Sequence, residues 1–63
     1  MFYVQILDKT GDIFYLAGFN PNTGEAIFDT FGNAKAYKIE IAQIAISNIS
    51  ELVDYQYITF QPV

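Results

Sequence analysis

The sequence predicts an α+β fold, a small antiparallel sheet of three to four strands in the order β-β-β-α-β with one helix packed across one face. Segments between Phe2 and Phe31, and again from Tyr55 to Phe60, alternate with a period of two, as strands do. Between them, apolar residues recur every three or four positions, as in an amphipathic helix. The chain of 63 residues is too short for two cores, so we expect a single α+β domain over residues 1–63.

Residues 2–7 and 13–19 are predicted to form an antiparallel hairpin, since both are rich in β-branched and aromatic residues. The loop between them contains Gly11, which can adopt a positive φ angle. Gly18 interrupts the second strand and indicates a bulge. In each strand, alternation predicts two opposite faces. They are Phe2, Val4 and Ile6 against Tyr3, Gln5 and Leu7 in the first strand, and Phe14 and Leu16 against Ile13, Tyr15 and Ala17 in the second.

Residues 20–24 are the strongest turn signal in the chain, because they combine the fixed φ angle of Pro21 with residues that tolerate a left-handed backbone. A third strand is predicted over residues 25–31, ending before Gly32. Its alternate faces would be Ala26, Phe28 and Thr30 on one side and Ile27, Asp29 and Phe31 on the other. The first three strands would then form a meander.

From Tyr37 onward the apolar period changes to that of a helix, with a narrow polar stripe and a broad apolar side. The stripe consists of Glu40, Gln43, Ser47, Glu51 and Asp54, and the predicted core side of Ile39, Ala42, Ala45, Ile46, Ile49, Leu52 and Val53. Residues 37–41 also alternate and could form a strand, but that interpretation leaves residues 42–45 without a face. A last strand is predicted over residues 55–60 and is stopped by Pro62.

The composition argues against several classes of function. The chain has no Cys, no His and no Trp, and its three basic residues are all Lys. Without thiolate or imidazole ligands we expect no zinc, haem or iron–sulfur centre, and we expect no other cofactor. The four glycines are isolated and match no phosphate-binding loop. No two carboxylates suggest an acid–base pair, so we expect no enzymatic activity.

Charge and hydropathy limit the partners. Three basic residues against seven acidic ones give a net charge of −4, which disfavours direct binding of nucleic acid. The acids are scattered singly, as on an ordinary solvated surface rather than an imitation of DNA. No apolar segment reaches the roughly 20 residues of a membrane span, and residues 1–8 lack the basic leader of a signal peptide. We therefore expect no membrane association and a cytoplasmic location.

Tyrosines of the predicted strands are candidates for a protein interface. One helix covers only one face of a sheet, so the other face would be open to a partner. Tyrosine suits such a surface because it offers apolar area together with a hydroxyl group. The alternative is ordinary cross-strand packing, which needs no partner. The candidates are Tyr3, Tyr15, Tyr55 and Tyr57.

A second candidate interface lies on one flank of the predicted helix. Tyr37, Ile41, Ile44 and Asn48 recur at helical spacing, beside the polar stripe and away from the predicted core side. Exposed apolar patches usually mark interfaces, although a loop such as residues 20–25 could cover this one. Apolar residues make up 52% of the chain, more than a core of this size readily hides, so we also expect a homodimer.

Three short segments, Phe2-Tyr3-Val4-Gln5-Ile6, Tyr15-Leu16-Ala17-Gly18-Phe19 and Ala34-Lys35-Ala36-Tyr37, precede a predicted helix that contains Ala42 and Ala45. Together they resemble the very small, mostly uncharacterised accessory proteins of phages that infect Gram-positive bacteria. The resemblance implies a phage-type inhibitor that binds and occludes a host protein, of the anti-defence class, in the host cytoplasm. It identifies neither the host protein nor any functional residue. The alternative function is that of a structural or assembly protein whose activity is self-association.

Overall fold

The computed structural model describes residues 1–49 and 54–63, which form a four-stranded antiparallel sheet and one α-helix. The strands are β1 (Phe2–Asp8), β2 (Ile13–Phe19), β3 (Ala26–Asp29) and β4 (Tyr55–Pro62), in the spatial order β3-β2-β1-β4. A 3₁₀ turn, Phe31–Asn33, follows β3, and helix α1 spans Ile39–Ser47. The predicted α+β fold is confirmed, with a shorter third strand and a shorter helix than the sequence suggested.

The two hairpin loops follow from their glycine and Asx residues. In the first, the Asp8 carboxylate accepts a hydrogen bond from the Asp12 N–H at 2.8 Å, and Gly11 adopts a φ of 92°. In the second, the Gly24 N–H donates to the Asn20 carbonyl at 2.8 Å, and Gly24 adopts a φ of 77°. Both φ angles lie in the left-handed region that glycine enters without a Cβ clash. The turns therefore form where the sequence predicts them.

The core lies between the sheet and α1. Val4 and Leu16, from the two central strands, are fully buried, and so are Ala42 and Ala45 of the helix. Because the distance between packed elements depends on the side chains at the contact, two alanines allow the helix to approach the sheet closely. Larger side chains pack around this contact: Phe19, Phe28, Tyr37, Ile58 and Phe60. The bulge predicted at Gly18 is present as a register shift between β2 and β3.

The orientation of α1 differs from the prediction at one residue of its core side. Ala42 and Ala45 are buried as predicted, but Ile46 is 40% exposed, so its placement in the core was wrong. At 100° per residue, Ile46 lies about 70° from the mean direction of the two alanines. The helix ends at Ser47. The predicted helical residues Glu51, Leu52 and Val53 lie outside the described residues.

The chain passes from one face of the sheet to the other where β1 and β2 separate. These strands pair at three positions only. The segment after the 3₁₀ turn, residues 34–37, enters between them where they separate. There the Lys35 N–H donates to the Leu16 carbonyl at 3.1 Å, and Tyr37 exchanges two backbone hydrogen bonds with Phe2, at 2.7 and 2.8 Å. This passage leaves Phe31 on the face opposite α1 and brings Tyr37 to the core side.

Candidate functional site

The sheet face opposite α1, here called the open face, carries three aromatic rings in mutual contact. Since Val4 is buried toward the helix, alternation puts Tyr3 and Gln5 on the open face, and Tyr15 joins them as the partner of Gln5. Phe31 packs against both tyrosines. The ring centroids are 6.2 Å apart for Tyr3–Tyr15, 5.6 Å for Tyr3–Phe31 and 5.0 Å for Tyr15–Phe31, all edge to face. We call these three residues the aromatic triad, and its geometry is the one that aromatic pairs favour.

Phe31 reaches the triad because the chain turns sharply after β3. The Asp29 carboxylate accepts a hydrogen bond from the Thr30 N–H at 2.7 Å and another from the Asn33 side-chain amide at 3.0 Å. These bonds close the turn that presents Phe31, a residue that is 59% exposed. The sequence pattern predicts Phe31 as the last residue of a strand and did not mark it as a site residue. The turn-forming residues Asp29, Thr30 and Asn33 were the available signal.

A line of polar side chains crosses the open face beside the triad. Gln5 Nε2 donates to the Tyr15 hydroxyl at 2.8 Å, and Thr59 Oγ1 donates to Gln5 Oε1 at 3.2 Å. The line connects β4, β1 and β2, and its members are partly buried. It restrains the Tyr15 side chain before any partner arrives. A restrained side chain loses less conformational freedom on binding, which favours affinity.

At the other end of the open face, a second apolar area surrounds Leu7. In the sheet register, Leu7 has Ile13 on one side and Tyr57 on the other. Ile13 is 50% exposed and Tyr57 is 54% exposed. The open face therefore presents apolar side chains at both ends, with the polar line between them.

The four predicted interface tyrosines do not all fall together. Tyr3 and Tyr15 are in direct contact, and Tyr57 lies on the same face as the partner of Leu7. A register shift between Leu7 and Asp8 then places Tyr55 opposite Asp8, the next residue of β1. Successive residues of a strand point to opposite faces, so the bulge separates Tyr55 from the other three tyrosines.

The predicted patch on the helix is divided in the same way. Ile41 and Ile44 are 38% and 49% exposed, so no loop of the described chain covers them. Tyr37 instead packs on the core, with its ring 6.0 Å from that of Phe19 and perpendicular to it. Burial raises the pKa of Tyr37. The exposed helix patch thus consists of the two isoleucines.

On the helix side of the sheet, a cleft of about 290 Å³ offers little polar chemistry. Its lining consists of Ile6, Asp8, Phe14, Phe28 and Asp54. The Asp8 carboxylate accepts bonds from the Thr10 hydroxyl and from the N–H groups of Thr10 and Asp12, and these bonds lower its pKa. Asp8 is therefore engaged in the hairpin loop. Within residues 1–49 and 54–63, no group of three His, Cys, Asp or Glu side chains could hold a metal ion.

Comparison of the chain with protein-family models, with curated proteins and with solved structures found no match. Within the described part of the chain, no helix has the length and apolar character needed to cross a bilayer. The open face is consequently identified as the candidate site by its geometry alone.

Proposed function

We propose that this chain is a non-enzymatic protein-interaction module that binds a host protein through its open face and blocks the bound surface. The observation that supports the proposal is the aromatic triad, in which Phe31, 59% exposed, packs on tyrosines of the two central strands. Exposed aromatic residues held in fixed positions are the usual energetic centres of protein interfaces. The resemblance to phage accessory proteins adds the class, an inhibitor of the anti-defence type acting in the host cytoplasm.

The charge of the open face favours a protein over a nucleic acid as partner. The four strands contain no Lys, and their only charged residues are Asp8 and Asp29. Aromatic residues that stack on RNA bases work beside basic groups that neutralise the phosphates, and the strands provide none. Asp29, the register partner of Tyr15, is already hydrogen-bonded within the turn that follows β3. The aromatic triad itself carries no charge, which suits the apolar centre of a protein interface, where charged residues are depleted.

Inhibition by occlusion requires area and rigidity rather than reacting groups. Apart from Phe31, which packs on the tyrosines from the 3₁₀ turn, the triad, the polar line and the Leu7 area lie on three adjacent strands, so a partner would meet one continuous surface. The hydrogen bonds from Gln5 to Tyr15 and from Thr59 to Gln5 hold the centre of that surface. A partner covered in this way would lose access to whatever it normally binds there.

The proposal is tested by affinity capture from a Gram-positive lysate, followed by calorimetric titration of the captured protein. Phe31→Ala should raise the dissociation constant about thirtyfold, since truncating a central aromatic residue costs ~2 kcal/mol. Ile44→Ala is the matched control, because it removes a comparably exposed apolar side chain from the opposite side of the molecule. Its dissociation constant should stay within about threefold of the parent value.

Two outcomes would contradict this proposal. One is the absence of any protein retained in stoichiometric amount by the parent chain. The other is a reversed pattern, in which Ile44→Ala abolishes capture and Phe31→Ala leaves it intact. That pattern would move the binding site to the helix patch of Ile41 and Ile44.

A further inference from the structure

Strand β4 lies at the edge of the sheet. Its register with β1 determines which of its backbone N–H and C=O groups face β1 and which face outward. In the register, Phe2 faces Pro62, and both backbone polar groups of Phe2 bond to Tyr37, on the side away from β4. Phe2 and Pro62 are therefore a non-hydrogen-bonded pair. The next residue along, Val63, donates its N–H to the Met1 carbonyl at 3.1 Å, which agrees with this alternation.

The same alternation fixes where the middle of β4 directs its N–H and C=O groups. Val4 pairs with Phe60 and Ile6 pairs with Ile58, so these are also non-hydrogen-bonded pairs. The N–H and C=O groups of Ile58 and Phe60 point away from β1, toward the outer edge. In the described sheet order no strand lies on that side of β4. Two residues thus present four backbone groups to a further strand.

Between the bulge at Gln56 and the terminal Pro62, this edge lacks the features that usually protect a sheet from pairing. Natural edge strands are short, charged, bulged or interrupted by proline. The opposite edge, β3, has four residues and ends at Asp29. Strand β4 has eight residues, YQYITFQP, with no charged side chain and with proline only at its end. Long uncharged edges of this kind are templates for another strand.

We propose that β4 pairs in an antiparallel manner with β4 of a second copy of this chain, about a two-fold axis at Thr59. In this register Ile58 of one copy exchanges two backbone hydrogen bonds with Phe60 of the other, and the symmetric pair does the same. A register centred on Phe60 would bring Pro62, which has no N–H, into the ladder. One centred on Ile58 would involve Gln56, beside the register shift at the start of β4.

A second copy fits this edge because neither of the two paired strands would carry a charged side chain. In a two-fold interface each strand faces itself, so any charge near the axis would meet its own copy. The chain carries a net charge of −4, yet β4 carries none. The two described acids beside the strand lie at its first residue: Asp8 pairs with Tyr55, and Asp54 precedes it with its carboxylate 3.9 Å from Lys9 Nζ. The electrostatic repulsion between two negatively charged copies should therefore be weakest when they meet along this edge.

The resulting assembly would double the sheet and leave the open face unobstructed. Both helices would lie on one side and both aromatic triads on the other. Ile58 would face the partner's Phe60 on the helix side, and Tyr57 would face the partner's Gln61 on the open side. This pairing uses the edge of the sheet rather than the open face, so it does not depend on the proposed host-protein binding.

A disulfide cross-link tests the register directly, because the natural chain has no Cys. Residues facing each other as a non-hydrogen-bonded antiparallel pair have Cα atoms about 4.5 Å apart, within the range that a disulfide spans. Thr59→Cys should give a covalent dimer under mild oxidation. Gln61→Cys is the control, because its copies would lie about 13 Å apart in the proposed register. Equal cross-linking of both variants, or of neither, would overturn the proposal.

Charge exchange at the axis gives a second, independent test. Thr59→Lys and Thr59→Glu should each raise the dimer dissociation constant at least about tenfold, because like charges would face each other. An equimolar mixture should restore the dimer, measured by light scattering with circular dichroism as a check of folding. If either variant does not fold, the cross-linking result decides. A monomeric parent chain at 100 μM, a dimer unaffected by either charge, or a mixture that stays monomeric would each overturn the proposal.

Discussion

The two faces of the sheet use apolar side chains in opposite ways. On the helix side, Val4 and Leu16 are fully buried under Ala42 and Ala45. On the open face the larger side chains remain accessible, and Phe31 is 59% exposed. The helix side uses aliphatic side chains and two alanines at its centre, whereas the open face uses aromatic rings and hydrogen bonds between side chains.

The difference separates stability from recognition. Apolar burial contributes about 25 cal/mol per Å² removed from water, so the fully buried helix side accounts for most of the stability. On the open face the edge-to-face contacts and the polar line hold the rings in place, but leave part of their area for a partner. Substitutions on the two faces should consequently give different phenotypes.

The largest effect should come from Leu16→Ala. Leu16 is fully buried between the sheet and α1, and truncation of a buried leucine costs about 2–5 kcal/mol. A domain of this size has a total stability on the order of 3–9 kcal/mol, so the loss is a large fraction of the total and the urea midpoint of the variant should fall sharply. Urea denaturation followed by circular dichroism measures the change.

Ile13→Ala in the same strand is the matched control. Ile13 is 50% exposed on the open face, so its truncation should cost no more than about 1 kcal/mol. Equal losses from the two substitutions would show that the open face is as deeply packed as the helix side, and would remove the contrast between them.

A smaller effect is expected from adding volume under the helix. Ala45→Leu inserts a larger side chain at a fully buried contact, and overpacking of this kind costs about 1–3 kcal/mol. Ser47→Leu makes a comparable addition at an exposed position of the same helix and should change stability by less than about 0.5 kcal/mol. Should Ala45→Leu prove as stable as the parent, the helix does not contact the sheet through its alanines.

The strands were predictable because alternation depends only on which residues are apolar. Val4 and Leu16 were each assigned to one face of a strand, and both prove to be fully buried. The rotation of α1 was not fully predictable. Hydrophobicity places Ile46 in the core, but Ala42 and Ala45 occupy the contact with the sheet and Ile46 lies beside it. Periodicity alone does not show which of several apolar residues on a helix will be the ones packed at such a contact.

The candidate site was predictable only in part, since it combines alternation with long-range geometry. Tyr3, Tyr15 and Tyr57 follow from alternation along their strands. Phe31 does not, because it reaches the triad through a turn, and the chain then passes between β1 and β2. Neither the turn nor the passage produces a periodic pattern in the sequence. Tyr55 departs from the pattern because of the bulge opposite Leu7 and Asp8, and bulges leave a weak signal in a sequence without a glycine there.

The smallest effect concerns Tyr37, which packs against the core beside Phe19. Burial raises the pKa of Tyr37 above that of the unfolded chain, because the ionised form is disfavoured in the folded state. Its contribution to stability is therefore fully present below about pH 10, the pKa of an exposed tyrosine, and is lost as the pH rises through the folded pKa. Tyr37→Phe keeps the ring packed on Phe19 and removes the titrating hydroxyl, so the unfolding free energy of the variant should fall less steeply with pH.

Urea denaturation of parent and variant at pH 8 and at pH 11 makes the comparison, with the lysines titrating equally in both. Parallel losses in the two proteins would mean that Tyr37 ionises as freely in the folded state as in the unfolded one, and would assign its ring to solvent rather than to the helix side.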